Sequence, residues 1–146
     1  MAYWLVKSEP NVWSWEMQKD KGEIGEPWTG VRNYQARNNM RTMRIGEKGF
    51  FYHSNHGREI VGIFEVITRA YHDPTANEDF RWECVDIRAV CNMPYPVRLY
   101  DIKSNPSLAK MILVIASRLS VQPVTSEEYL EICRMGKLIN PPISEF

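Results

Sequence analysis

The spacing of apolar residues changes several times along the chain, and each change marks an element. Tyr3-Trp4-Leu5-Val6 is an unbroken apolar run closed by Lys7 and then by Ser8-Glu9-Pro10-Asn11. Proline gives no N–H to a ladder and biases its predecessor towards extended geometry, so an opening strand is predicted over 3–7. From Asn33 to Arg44 the period lengthens. Ala36, Met40 and Met43 fall on one helical face, and Arg37, Arg41 and Arg44 repeat on a neighbouring one. Gly46 is a natural helix stop. Residues 49–54 and 59–67 read as the two strands of a hairpin around Asn55-His56-Gly57-Arg58. Asp73-Pro74-Thr75 is a turn, and residues 81–90 alternate Val85, Ile87 and Ala89 against Asp86 and Arg88, a half-buried strand ended by Pro94 and Pro96. Asn105-Pro106 is an N-cap with proline in first helical position, opening a short helix through Leu108, Ile112 and Leu113. Thr125-Ser126-Glu127-Glu128 is a capping box for a last helix ending near Gly136. Strands with interspersed short helices, without βαβ alternation, predict the α+β class.

At 146 residues, with no repeat and no Ser/Gly linker, the chain is expected to form one domain able to bury its own core. Three cysteines, Cys84, Cys91 and Cys133, are an odd number at no metal-ligand spacing, which predicts reduced thiols in a cytosol-like compartment. The amino terminus lacks the basic and apolar regions of a secretion signal, and no apolar run reaches the ~20 residues of a bilayer span. A soluble, cytoplasmic protein without a membrane role is expected. The formal net charge is zero, which argues against a broad electrostatic coater of nucleic acid, because such affinity comes from many Lys and Arg on phosphates.

Three polar constellations stand out. Trp28-Thr29-Gly30-Val31-Arg32-Asn33-Tyr34-Gln35-Ala36-Arg37-Asn38-Asn39 combines aromatics, arginines and side-chain amides with no acid between Val31 and Gly46. Arg and Asn suit phosphates and base edges, and Trp28 or Tyr34 suits stacking on a flat ring. A solvated helix face beside a core tryptophan would look the same. Lys7-Ser8-Glu9 sets an ammonium, a hydroxyl and a carboxylate at a strand end, where they can donate to and accept from a base. Tyr52-His53-Ser54-Asn55 closes the next strand similarly. His53 is a poor base for Ser54, since neighbours on a strand point to opposite faces, and no Gly-x-Ser-x-Gly elbow surrounds the serine. His53 and His56 with His72 or Asp73 make only a weak metal spacing. No phosphate loop or dinucleotide fingerprint is present, so no cofactor is expected.

Five motifs then occur in order: Trp4 to Pro10, Trp28 to Asn38, Phe51 to Asn55, Asp73 to Thr75, and Ser117-Arg118-Leu119-Ser120-Val121-Gln122-Pro123-Val124. Together they resemble the EVE-domain family of the PUA-like superfamily, kin of the YTH domains. The resemblance implies a twisted, partly closed antiparallel β-barrel with short peripheral helices. It also implies a pocket that holds a modified base, with Lys7, Ser8 and Glu9 at its edge and Trp28 as a wall. Arg32, Asn33, Tyr34, Arg37 and Asn38 would line the mouth, His53, Ser54 and Asn55 would face them, and Arg118 and Ser120 would complete the rim. Thr29, where the family more often has aspartate, removes a carboxylate near that pocket. Glu47-Lys48 and Ile115-Ala116 depart from the pattern as well.

The expected function is a non-catalytic, monomeric binding module for nucleic acid, DNA or RNA. It would take one modified cytosine or adenine, flipped out or single-stranded, with Arg37, Arg41 and Arg44 on phosphates. Two rivals are a hydrolase of modified nucleosides, with Lys7 and Glu9 as acid and base, as in ASCH-type relatives of the fold, and a module for a peptide or small metabolite.

Overall fold

The computed structural model describes residues 2–144. In chain order its elements are β1 (Tyr3–Ser8), α1 (Trp15–Asp20), β2 (Glu26–Pro27), α2 (Tyr34–Thr42), β3 (Lys48–His53), β4 (Glu59–Val66), β5 (Tyr71–His72), β6 (Glu83–Cys84), β7 (Asp86–Arg98), α3 (Leu99–Lys103), α4 (Ile112–Ile115), β8 (Val121–Val124) and α5 (Ser126–Met135), with 3-10 turns at Gly22–Ile24, Pro74–Ala76 and Pro106–Leu108. Six strands form one sheet in the order β2-β7-β4-β3-β1-β8, curled into a half-barrel, and β5 pairs with β6 apart from it. This is the α+β class expected. Among the described residues no helix is long and apolar enough to cross a membrane.

One pairing inside the antiparallel half-barrel is parallel: β1 runs alongside β3, Tyr3 opposite Lys48 through Ser8 opposite His53. A parallel pair needs a long crossover, and α1, β2 and α2 supply it. The crossover leaves β1 at its carboxyl end and re-enters at the amino end of β3, so the carboxyl ends of both strands share one edge, where Lys7, Ser8 and His53 emerge.

Strand β1 explains its unbroken apolar run. Tyr3 and Leu5 enter one core cluster with Phe50, Tyr52 and Ile60, while Trp4 and Val6 enter another with Phe51, Phe64 and Val66. A strand buried on both faces has no polar face to alternate with. On the first face α5 closes the core. Tyr129 is fully buried, stacked 3.9 Å from Tyr3 and 5.0 Å from Phe50, and its hydroxyl donates to the Pro142 carbonyl at 2.6 Å. On the second face lie α1 and α2. Trp15 lies against β4 where Gly62 has no side chain; a Cβ there would come within 2.1 Å of the indole.

Several sequence expectations need adjustment. Strand β7 does not stop at Pro94 and Pro96 but runs on to Arg98. Its register against β4 jumps from Gly62 opposite Asn92 to Ile60 opposite Val97, so both prolines ride in an excursion where no ladder N–H is asked of them. Cys84 lies in the short β6, separate from β7. The helix expected from Asn105 is two pieces, the turn Pro106–Leu108 and α4. The capping box of α5 forms as read, with Thr125 and Glu128 each bonded to the other's backbone N–H. Glu47, where the family pattern is departed from, closes a turn by donating its N–H to the Arg44 carbonyl at 3.1 Å, and Lys48 opens β3. Buried Glu47 accepts from the Trp4 indole at 2.9 Å, and Lys48 pairs with Glu65 at 3.0 Å. The three cysteines are free thiols, and burial pushes Cys84 up to about 11 and Cys133 up to about 12, which keeps both protonated.

Candidate nucleic-acid interface

A cleft of about 410 Å³ opens at the end of β1, lined by Lys7, Ser8, Trp13, Glu26, Trp28, Arg32 and Ser120 among others. That volume falls within the range of about 300–1,000 Å³ common for small-molecule sites. Two tryptophans give it carbon walls. Trp28 is 9% exposed, its backbone N–H donating to the Val85 carbonyl at 2.7 Å and its ring in edge contact with Phe51 at 5.6 Å. Trp13 is half-buried, and its indole N–H donates to Gln18 at 2.9 Å. Gln18 is itself buried and donates to the Ile87 carbonyl at 3.0 Å, so the Trp13 ring is oriented by a braced partner. The Lys21 ammonium lies 6.0 Å from that ring.

The loop between β2 and α2 forms the rest of the wall, and Asp73 fixes it. One Asp73 carboxylate oxygen accepts from the Gly30 N–H at 2.8 Å and from Arg32 at 3.2 Å. The other accepts the Thr75 N–H and hydroxyl, each at 2.7 Å. Gly30 stands at φ 87°, where a side chain would be strained. Burial alone would raise the Asp73 pKa, but the bonds from Thr75, Gly30 and Arg32 outweigh it and hold the carboxyl below its ordinary value. A fully buried carboxylate with four donors is a rigid peg for residues 30–32.

Of the residues singled out from sequence, this cleft gathers Lys7, Ser8, Trp28, Arg32 and Ser120. Ser54 and Asn55, again with Lys7, line a second cavity instead. Glu9 lines neither and accepts a hydrogen bond from the Asn55 side chain. Asn33 is the N-cap of α2, accepting the Ala36 N–H at 2.9 Å. His53 turns inward. Its Nε2 accepts the Trp15 N–H at 3.0 Å, and burial lowers its pKa against a smaller opposing pull from Glu59. It therefore serves α1 as a neutral acceptor and is not free to activate Ser54.

Tyr34, Arg37 and Asn38 form a separate ridge. Tyr34 stacks on Trp82 at 5.1 Å and Arg37 lies 4.9 Å over Tyr34, while Arg37 also donates to Asn38 and, at 3.0 Å, to the Arg81 carbonyl. The basic stripe is thus partly spent and partly off the helix: Arg41 is paired with Glu83, and Arg44 lies beyond α2, which ends at Thr42 and not at Gly46 because Met43 turns to extended backbone. Arg44 and Arg118 are exposed and make no ion pair among the described residues. Sequence reasoning missed Trp13, Glu26 and the bracing role of Asp73. Trp13 carried a signal in following Glu9-Pro10 so closely, and Asp73 in its Asp-Pro-Thr turn. Glu26 carried none.

The match to the EVE domain model covers residues 2–135. The chain belongs to the EVE domain family. A relative among characterised proteins, human thymocyte nuclear protein 1, is 35% identical over 159 residues, 88% of this chain and 71% of its own length. A crystal structure of that human protein in complex with 5-methylcytosine-containing DNA superposes with a TM-score of 0.87 at 33% identity, covering 97% of this chain and all of the other. The crystal structure of a protein from Agrobacterium tumefaciens reaches a TM-score of 0.99 at 68% identity over the full length of both chains. The YTH domain of a Zygosaccharomyces rouxii protein shares the fold at a TM-score of 0.55 and 14% identity, covering 95% of this chain and 88% of the other.

Proposed function

We propose that this EVE domain holds one modified, amino-bearing base of a nucleic acid in the cleft between Trp13 and Trp28 and leaves it chemically unchanged. The observation that carries the reading is the cleft itself: two braced indoles as walls, with Ser8, Ser120 and Glu26 as polar groups along it. Stacking on an aromatic contributes about 1–3 kcal/mol per base and is indifferent to base identity. Selectivity then rests on the polar edge. A carboxylate accepts from an exocyclic amine, so Glu26, whose Oε1 lies 3.5 Å from the Lys21 ammonium, favours cytosine or adenine through its remaining acceptor capacity and supplies the carboxylate that Thr29 does not. The human relative's complex with 5-methylcytosine-containing DNA favours cytosine.

The base must leave its stack to enter such a cleft, which favours single-stranded or flipped-out substrates. The hydrolase alternative needs a general base at the cleft. Of its two candidates, Lys7 lines the cleft, while Glu9 accepts from Asn55 outside the lining, which disfavours that acid–base pair.

Calorimetry with matched oligonucleotides, DNA and RNA, carrying a modified or plain cytosine or adenine tests the proposal. At least one modified base should bind tenfold or more tightly than its plain counterpart, with no turnover of the modified nucleoside. Equal affinity across the panel, or release of a modified product, would contradict it.

A further inference from the structure

A second cavity of about 370 Å³ shares Lys7 with the first and is lined also by Arg58, Lys103, Ser54, Asn55 and Ser117. Among the described residues no carboxylate lines it. Nine of the chain's 18 Lys and Arg side chains hold a carboxylate among the described residues, yet none of these three cations does. Three cations without a carboxylate partner around one concavity, Lys7 part-buried and Arg58 and Lys103 exposed, concentrate positive charge that an entering anion would neutralise.

The cavity is built from parts far apart in sequence, each tied in place. The Lys7 ammonium donates to the Ser117 carbonyl and lies 5.9 Å from the Tyr52 ring centre. The turn that presents Ser117 is pinned by fully buried Gln122, whose amide donates to the Leu119 carbonyl at 2.8 Å and the Ala116 carbonyl at 3.4 Å. The hairpin loop carries Asn55 and Arg58 with left-handed backbone, at φ 64° and 49°. Its Asn55 end is held by Glu9, and its Arg58 carbonyl accepts the Leu99 N–H at 2.8 Å, which ties the loop to the helix bearing Lys103. Serine and asparagine side chains add neutral donors of the kind that accompany cations around phosphate oxygens.

We infer that this second cavity is a phosphodiester subsite, taking the backbone phosphate next to the held base, with Arg58 and Lys103 as its charged contacts and Lys7 shared by both cavities. The inference rests on the base-cleft reading for its neighbour but not for its own chemistry. A net charge of zero is compatible with it, because affinity for the strand then comes from a few placed cations and not from a charged surface.

The test is the double variant Arg58→Gln with Lys103→Gln, two exposed positions, with the thermal midpoint recorded to confirm folding. Binding is measured against a single-stranded oligonucleotide with one modified base, its unmodified copy, and the free modified nucleoside, over a range of salt. The variant should bind both oligonucleotides about tenfold more weakly, and the slope of log affinity against log salt should fall by about one. The ratio between modified and unmodified strands and the affinity for the nucleoside should stay unchanged. Unaltered strand affinity and slope would overturn the inference, as would an equal loss for the nucleoside. An arm with inorganic phosphate, followed by amide shifts at Ser54 and Arg58, separates the sources. Shifts there with no effect of the variant on strand binding would mean a free-phosphate site and overturn the subsite. Equal affinity for modified and unmodified strands would instead sink the base-cleft reading, while a slope lost in the variant would still uphold the phosphate contact.

Discussion

The two faces of the central strands are built from the same kind of residue and end differently. On one, Tyr3 and Phe50 stack with Tyr129 from α5, which fills the space beside them, and the second cavity opens at the Tyr52 and Leu113 end of that face. On the other, Phe51 meets Trp15 at a tilt and Trp28 edge-on, and α2 covers part of the face, but the rest is covered by a six-residue helix and a loop, between which the cleft beside Trp13 remains. Aromatic density therefore does not make a pocket. What decides is whether a long element delivers a ring into the gap or whether braced short segments hold the gap open.

The comparison breaks most visibly at Tyr129. Tyr129→Ala should cost about 3–5 kcal/mol in urea denaturation, as for other buried aromatics, and Tyr129→Phe about 1 kcal/mol for the lost hydroxyl bond to Pro142. The base selectivity of whatever remains folded should not change. On the open face the order inverts. Trp13→Ala should weaken binding of a modified-base oligonucleotide by about 1–3 kcal/mol in calorimetry while lowering stability by less than about 1 kcal/mol, since the ring is half-exposed. If Trp13→Ala destabilised as much as Tyr129→Ala, the two faces would not differ in kind.

The peg beneath the open face sharpens the contrast. Asp73→Asn removes the charge that holds Gly30, Arg32 and Thr75, and should cost about 1–3 kcal/mol, with affinity falling in parallel as the loop loosens. Because the folded-state pKa of Asp73 lies below its ordinary 3.8, its contribution is fully present above that value and fades as pH drops through the lowered one. Urea melts between pH 5 and 2 on the protein and the variant should converge. The smallest effect belongs to His53. Its folded pKa is depressed below the ordinary 6.5, so the unfolded chain takes the proton first, and stability declines as pH falls from about 6.5 towards the lowered value. Above 6.5 it should be flat. Replacing His53 with Gln should remove that slope, followed by denaturation at pH 7.5 and 5.5.

Much of the fold was legible where local rules and burial agree. The double-sided apolar run of β1, the helical pair Ala36 and Met40, and the capping box at Thr125 each report one physical demand. Strand β7 was misread because a bulge relieves the prolines of their ladder duty, and that relief depends on β4 across the sheet. The site was less legible. Lys7, Ser8 and Trp28 sit on elements whose ends the sequence marks, so their convergence could be anticipated. His53 and Asn33 carry the same polar signal, yet the structure spends them on helix starts. A polar group at a strand end reads alike whether it faces a ligand or a neighbouring N–H, and only tertiary placement separates the two.

The central claim is that a base sits between Trp13 and Trp28. The direct measurement is the set of nuclear Overhauser contacts between the protons of a bound 5-methylcytosine, in a short single-stranded oligonucleotide, and the indole protons of the five tryptophans. The account predicts cross-peaks from the base methyl or H6 to Trp13 and Trp28 and none to Trp82. Contacts to Trp82 on the Tyr34 ridge, with Trp13 and Trp28 silent, would contradict it.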